Sequence, residues 1–406
     1  MAHMRTPQKV YLDHAAATPL DSDVYRAMEP YWAEQFANPS ALTSVAVAQA
    51  LKGARARAAH VLQVKPEEVI FTSGGTESNN LALFGVVASA RQMGIQPHVI
   101  VSTIEHPSVL EPARALETLG VRVTYVPVSR DGFVQLDALK AALLPETVLV
   151  SVMYANNEIG TVQPIAEIAR AIRHYRKVSG SRADGLVPRA YPYFHVDACQ
   201  APGALDLSVP ALGVDLLTVN ASKMYGPKGV GLLYCRKGVL VTPLFYGGAQ
   251  EQCRRAGTEN VPGIIGCVEA LVRSESLRSS ETVRLQGLRD YLQAGLAQAF
   301  PEVVQFHGSF AHRLPNNVSV CFTGLEAERL LIELAAEGII AAAGSACSSL
   351  TDEGSHVLRA LGVGDADAAS TIRLTLGRST TRESIDYVLE ALQRLVPRLL
   401  REKKLQ

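Results

Sequence analysis

Five polar residues, Thr76, His106, Asn157, Asp197 and Lys223, each follow a short apolar run, and each has a side chain suited to chemistry. Lys223 stands in NASKMYGPKGVG (220–231), between an apolar run and a glycine-rich turn. A lysine at the edge of a pocket can form a Schiff base with an aldehyde. The ordinary fate of a lysine is exposure on a loop, and neighbouring Lys228 is the better candidate for that. Asp197 ends the run in HVDACQ. A buried carboxylate needs a cationic partner, which a protonated pyridine nitrogen supplies as well as an arginine would. TSGGTESNN (72–80) runs from an apolar stretch into a helical pattern, so Gly75 and Thr76 offer backbone N–H groups to an anion at a helix N-terminus. Alone, that motif is better read as a turn and a cap. Phosphate cradle, lysine and strand-end aspartate together are what pyridoxal 5'-phosphate requires, and the conjunction outweighs the separate bland readings.

A different group lies near the C-terminus. Cys347 sits in GSACSS (344–349), just after GIIAAA, among residues with almost no side chain. A buried structural cysteine would have bulky neighbours. Small neighbours permit motion and approach, which suits a thiol that must reach something. The thiolate is the attacking species, and an ordinary thiol with a pKa of about 8.5 is partly ionised at neutral pH.

These residues need elements to position them. EEVIFTSGG, HVIVSTIEH (98–106), TVLVSVMYANNE (147–158), PYFHVDACQ (192–200) and DLLTVNASK (215–223) share one form, a β-rich run followed by polar residues, with helical patterns between several of them. That form predicts a mostly parallel sheet with crossover helices, whose strand ends line a ligand crevice. NNVSVCF and STIRLTLG read as further strands. The last segment is an amphipathic helix with a capping box at Thr380 and Glu383. KVSGSRADGLVPRA (177–190) reads as a surface loop.

Composition narrows the class. Among 406 residues, 48% are hydrophobic and 19% charged, as in a soluble globular protein with a large core. Lys plus Arg and Asp plus Glu both number 39, so charge gives no hint of nucleic acid or an anionic membrane. No run of about 18 uncharged apolar residues suggests a spanning helix. The six cysteines lack CxxC pairs or zinc spacing, so no metal site is expected and a reduced, cytoplasmic setting is. No signal-peptide pattern opens the chain, and Met4 is read as the natural start after an MAHM remnant.

In order, YLDHAAATPL, FTSGGTESNN, EHPSVL, YANNEIGTVQPI, HVDACQAPG, SKMYGPKGVGLLY, GGAQEQCRRAGTEN, RLPNNVSV, GSACSS, SHVLRALG and IRLTLGRSTT resemble the motifs of cysteine desulfurases, from about Tyr11 to the final helix. The resemblance implies a fold-type I, pyridoxal-phosphate-dependent homodimer of the class-V aminotransferase family that converts L-cysteine to L-alanine. The fold implied is α/β: residues 21–261 form a large domain with a mostly parallel seven-stranded sheet, residues 262–406 a smaller α/β domain carrying the Cys347 loop, and residues 1–20 pack with the small domain. By the same resemblance Lys223 is the Schiff-base lysine, Asp197 the partner of the pyridine nitrogen, and His106 the ring-stacking histidine that shares in proton transfer. Asn157 and Gln200 lie near the ring oxygen and substrate. Gly75, Thr76, Asn220 and Ser222 surround the phosphate, and Thr258 reaches the cofactor of the partner subunit. Arg373, an arginine inside a Leu-rich strand, holds the substrate carboxylate, and a guanidinium can do so through two parallel hydrogen bonds. Cys347 takes the sulfur as a persulfide for a protein acceptor, an iron–sulfur scaffold or a tRNA-thiolation partner for this longer-loop class.

The chain departs from the family pattern at three places. ALTSVAVAQA follows NPS where serine and a histidine-glycine pattern are usual. Asn220 and Ser222 replace serine and histidine before the lysine. The loop at 177–190 is longer than typical. The rival readings are a related selenocysteine lyase and a cofactor-bearing scaffold without turnover. The intact lysine, aspartate, histidine, arginine and thiol favour the desulfurase.

Overall fold

The computed structural model describes residues 9–179, 191–344 and 354–403. Seven strands form the central sheet: β2 (Val69–Thr72), β3 (His98–Ser102), β4 (Arg122–Val126), β5 (Thr147–Ser151), β6 (Tyr193–Asp197), β7 (Leu216–Asn220) and β8 (Gly231–Cys235). Their order is β2-β8-β7-β6-β5-β3-β4, and only β8 runs against the rest. The α/β, mostly parallel seven-stranded sheet expected for fold type I is therefore present. Apart from the edge strand β4, its strands are buried at nearly every position because both faces are covered. Alternation divides them: Phe71, Ile100, Leu217 and Leu232 join one core, while Ile70, Val99, Val101, Leu216 and Leu233 join the other.

A third core lies around a four-stranded antiparallel sheet, β12 (Ala342–Ala343), β13 (Thr371–Thr375), β10 (Asn317–Phe322) and β9 (Val304–Phe306), in that order. The short β1 (Val10–Tyr11) pairs in parallel with β11 (Ile339–Ile340), and Val10 and Leu12 enter this third core. The Val261–Ala299 helix begins at the expected boundary yet serves both sides of it. Ile264, Cys267 and Leu271 pack in a core of the large sheet, and Leu285, Leu292 and Leu296 pack with the small one.

The C-terminal helix spans Arg382–Lys403 and buries Ile385, Val388, Leu392, Val396 and Leu399 along one stripe. Its cap differs from the expected box. Thr381 Oγ1 accepts from Ser384 N at 3.2 Å, while Thr380 Oγ1 accepts from Gly377 N at 2.9 Å and closes the preceding turn. With two threonines in sequence, the one whose hydroxyl faces the first helical turn takes the cap. Of the expected 177–190 loop, the first residues extend the Ile165–Ser179 helix and residues 180–190 lie outside the described ones.

Candidate active site

One cavity of about 490 Å³ opens where the parallel strands end, and Thr76, His106, Asn157, Asp197 and Lys223 all line it. Parallel strands share one polarity, so the residue after each strand falls on the same edge.

After β2 the chain turns at Gly74 (φ +149°), a backbone conformation that glycine adopts without strain, and enters the Gly75–Gln92 helix. The start of β8 crosses closely here: a Cβ on Gly231 would lie 2.8 Å from Gly74 Cα. A Cβ on Gly75 would come within 2.7 Å of Cys199 Sγ, which lies across the cavity floor. The first N–H groups of the helix have no partner within it, and Gly75 keeps them open to a ligand anion.

Asp197 ends β6 and is 6% exposed. Its Oδ2 accepts from Asn79 Nδ2 at 2.7 Å and its Oδ1 from Cys199 N at 2.9 Å. Lys223 follows β7 through one 3-10 turn (Ala221–Lys223), and its Nζ donates to the Ala16 carbonyl. Lys228 is exposed and away from the cavity. His106 opens the Pro107–Thr118 helix. Burial pushes its pKa down; Asp197 acts the other way, and Lys223 and His356 add to the fall. Gln200 Nε2 donates to Ala15 O at 3.0 Å at the cavity wall.

Arg373 reaches the cavity from β13, with its side chain 3% exposed. It pairs with Asp13 at 2.7 Å and donates to Asn157 O at 3.2 Å and Gly344 O at 3.4 Å. Among the described residues its buried Nε has no hydrogen-bond partner. Cys347 lies outside the described residues, but the chain on either side of it meets this cavity. Gly344 touches Arg373, and Gly354 and His356 line the wall. Ser355 Oγ donates to Glu158 Oε2 at 2.5 Å, and a Cβ on Gly344 would sit 3.0 Å from the same oxygen. Burial raises the Glu158 pKa, opposed by the Ser355 bond and by the nearby His356 and Arg373.

Three expected phosphate residues are placed differently from one another. Asn220 lines the cavity, and its Oδ1 accepts from both Ser222 N and Ser222 Oγ at 3.3 Å. Ser222 does not line it, being turned back on Asn220 and linked through its carbonyl to Thr18. Thr258 is exposed, in a separate hollow with Tyr31, Phe36 and Asn38. Asp13, Asn79, Ser108, Glu158 and His356 were not singled out from the sequence. Asn79 lies three residues beyond Thr76 on the same helix, and Glu158 directly follows Asn157, so proximity in sequence was the available signal.

The arrangement fits pyridoxal phosphate on its own terms. A glycine-floored helix N-terminus suits the phosphate, a buried carboxylate suits a pyridinium nitrogen, and a lysine stands at the rim between them.

The class-V aminotransferase family profile matches residues 10–388. A curated cysteine desulfurase IscS of Dictyoglomus turgidum is 44% identical over 394 residues, covering 97% of this chain and 95% of that protein. One of Methanosarcina thermophila is also 44% identical, covering 96% and 92%. A solved NifS-like protein superposes with a TM-score of 0.88 at 34% identity, over 97% of this chain and 100% of that one. SspA in complex with cysteine superposes with a TM-score of 0.76 at 32% identity, over 91% and 99%. The chain belongs to the class-V aminotransferase family of pyridoxal-phosphate enzymes, among relatives curated as cysteine desulfurases.

Proposed function

We propose that this protein is a cysteine desulfurase: L-cysteine and the Cys347 thiol give L-alanine and a Cys347 persulfide. Atoms and electrons balance without an added oxidant: the C–S bond breaks with its electron pair left on carbon, that carbon takes up a thiol proton, and the S–S bond forms to Cys347. The observation that carries the reading is the meeting of Lys223, Asp197, His106 and Arg373 on one cavity.

Pyridoxal phosphate bound there supplies an electron sink for the carbons of an amino acid. Lys223 would hold its aldehyde carbon, Asp197 its ring nitrogen, and Gly75, Thr76 and Asn220 its phosphate. Asn79 and the Cys199 amide fix the Asp197 carboxylate in place. Arg373 receives the substrate carboxylate. Among the described residues three of its five N–H groups serve Asp13, Asn157 and Gly344, which leaves the Nε–H and one hydrogen of the nitrogen bound to Asp13. His106 lines the same cavity, and the small residues around Cys347 would let the thiol approach a sulfur held there.

Thr258 supports a homodimer, in which it would serve the cofactor of the partner subunit; its exposure beside Tyr31 and Phe36 fits a surface that a second copy covers. The sulfur acceptor is a protein, an iron–sulfur scaffold or a tRNA-thiolation partner. No helix among the described residues is long and apolar enough to cross a membrane, and a cytoplasmic setting suits a free reactive thiol. Incubation of the purified protein with L-cysteine, with alanine and sulfide assayed together, tests the reading. Alanine in step with reductant-released sulfide is expected, and no alanine from cofactor-loaded protein would reject it.

A further inference from the structure

His106 caps its own helix with its ring. The Ser108 backbone N–H donates to His106 Nδ1 at 3.0 Å, where most helices use a serine, threonine or aspartate oxygen. A backbone N–H can only donate, so Nδ1 carries no proton. The Ser108 hydroxyl lies 2.8 Å from the same nitrogen and therefore donates to it as well. That hydroxyl in turn accepts from Asn79 Nδ2 at 2.8 Å. The other hydrogen of Nδ2 goes to Asp197 Oδ2 at 2.7 Å. Only one direction satisfies the series, because a reversed Asn79 amide would set its oxygen against the Asp197 carboxylate.

From this we infer that Ser108 and Asn79 are positioning residues that hold His106 as the neutral Nε2–H tautomer, with the proton on the nitrogen free to face substrate. In that form the ring offers a hydrogen at Nε2 and no lone pair there. It orients and polarises a substrate atom and does not act as a base from the resting state. Taking up a proton at Nδ1 would break two donations and set a cation at the positive end of a helix. The charged groups facing the ring are mixed. Asp197, at the end of β6, favours a cation; Lys223, after β7, and His356, in the His356–Ala360 helix, oppose one. The adjacent Glu105 carboxyl is turned away to Ser102 and Met153.

The role assigned to substrate rests on the desulfurase reading; the tautomer does not. The test is a titration of the holoenzyme without substrate, 15N-labelled at histidine and read by NMR, with His106 assigned by loss of its signals in His106→Gln. The parent should show a bare Nδ1 and a protonated Nε2. Ser108→Ala should raise the His106 pKa by about half to one pH unit, the size of one neutral hydrogen bond. Ser108→Thr, which keeps the hydroxyl, should return it. The acid limb of alanine production should move by the same amount. A proton on Nδ1 in the parent would overturn the inference, as would an unmoved pKa in Ser108→Ala. Because the ring is read without turnover, protein that releases no alanine would reject the desulfurase reading and leave this result standing.

Discussion

Asp13 and Arg373 form an ion pair of 2.7 Å that ties the N-terminal segment to an interior strand of the small sheet and fixes a guanidinium at the cavity wall. The pair is buried on the arginine side, so it owes little to screening by salt.

Arg373→Lys keeps the charge and loses the planar fork. One charge-assisted hydrogen bond contributes about 1.5–3 kcal/mol, so KM for L-cysteine should rise about tenfold or more with cofactor absorbance retained. A KM within about twofold of the parent would remove Arg373 from substrate binding.

Gly75→Ala addresses the cradle. Its Cβ would meet Cys199 Sγ at 2.7 Å, and the sulfur is packed beside the fixed Asp197. Cofactor occupancy should fall several-fold while the fold is kept. Adding Cys199→Ala removes the obstructing sulfur and should restore part of that occupancy. Full occupancy in the single variant would show that the phosphate lies elsewhere.

The fold was legible because buried parallel strands are continuous apolar runs, and the polar residue ending each one marked the crevice. Thr76, His106, Asn157, Asp197 and Lys223 were found that way. Asp13 was not: nothing local distinguishes it, and its partner is Arg373, far along the chain. Ser222 shows the converse limit. Its place beside Lys223 suggests the phosphate, but a hydrogen bond to Asn220 turns it back, and side-chain direction is not written in spacing. The cap at Thr381 escaped for the same reason.

Stability should depend on pH through groups buried under the sheet. His98 lies between Thr147 and Thr124 hydroxyls, and His195 between Ser151 and Thr218. Burial pushes both pKa values down to about 4, so both stay neutral in the fold. The stability they confer is full above about pH 6.5, their unfolded value, and is lost as pH falls toward 4. Glu105 is the reverse: burial raises it to about 8, so its contribution is present below about pH 4.5 and is lost as pH rises toward 8. Between about pH 4.5 and 6.5 the unfolded chain binds two protons at the histidines against one held by the folded Glu105. These three groups then raise stability with pH by about 1.4 kcal/mol per unit, and Glu105 alone lowers it by a like amount from 6.5 to 8. Denaturant melts across pH should peak near 6.5. Glu105→Gln should steepen the acid side and flatten the alkaline one; an unchanged alkaline slope would show that Glu105 is ionised in the fold.

In the proposed reaction Lys223 and Cys347 divide the chemistry, so their variants should fail differently. Lys223 stands where the cofactor aldehyde would sit, its Nζ held by the Ala16 carbonyl. Lys223→Ala should lose the yellow absorbance of the bound cofactor, and borohydride treatment of the parent should attach cofactor to the peptide containing Lys223. Attachment at Lys228, exposed and outside the cavity, would overturn the assignment. Cys347→Ala should keep the colour and still respond spectrally to L-cysteine, because Lys223, Asp197 and Arg373 are untouched. It should form no persulfide, because transfer of sulfur needs a thiolate to receive it. Cys199 is the thiol that could confuse the result, since it also lines the cavity. It is half-buried and its pKa is pushed well up by burial, with Asp197 adding to the rise, so it is a poor nucleophile. Alanine production at the parent rate by Cys347→Ala, with cysteine as the sole thiol, would therefore sink Cys347 as the sulfur acceptor, and its loss in Cys199→Ala instead would move that role to the cavity floor.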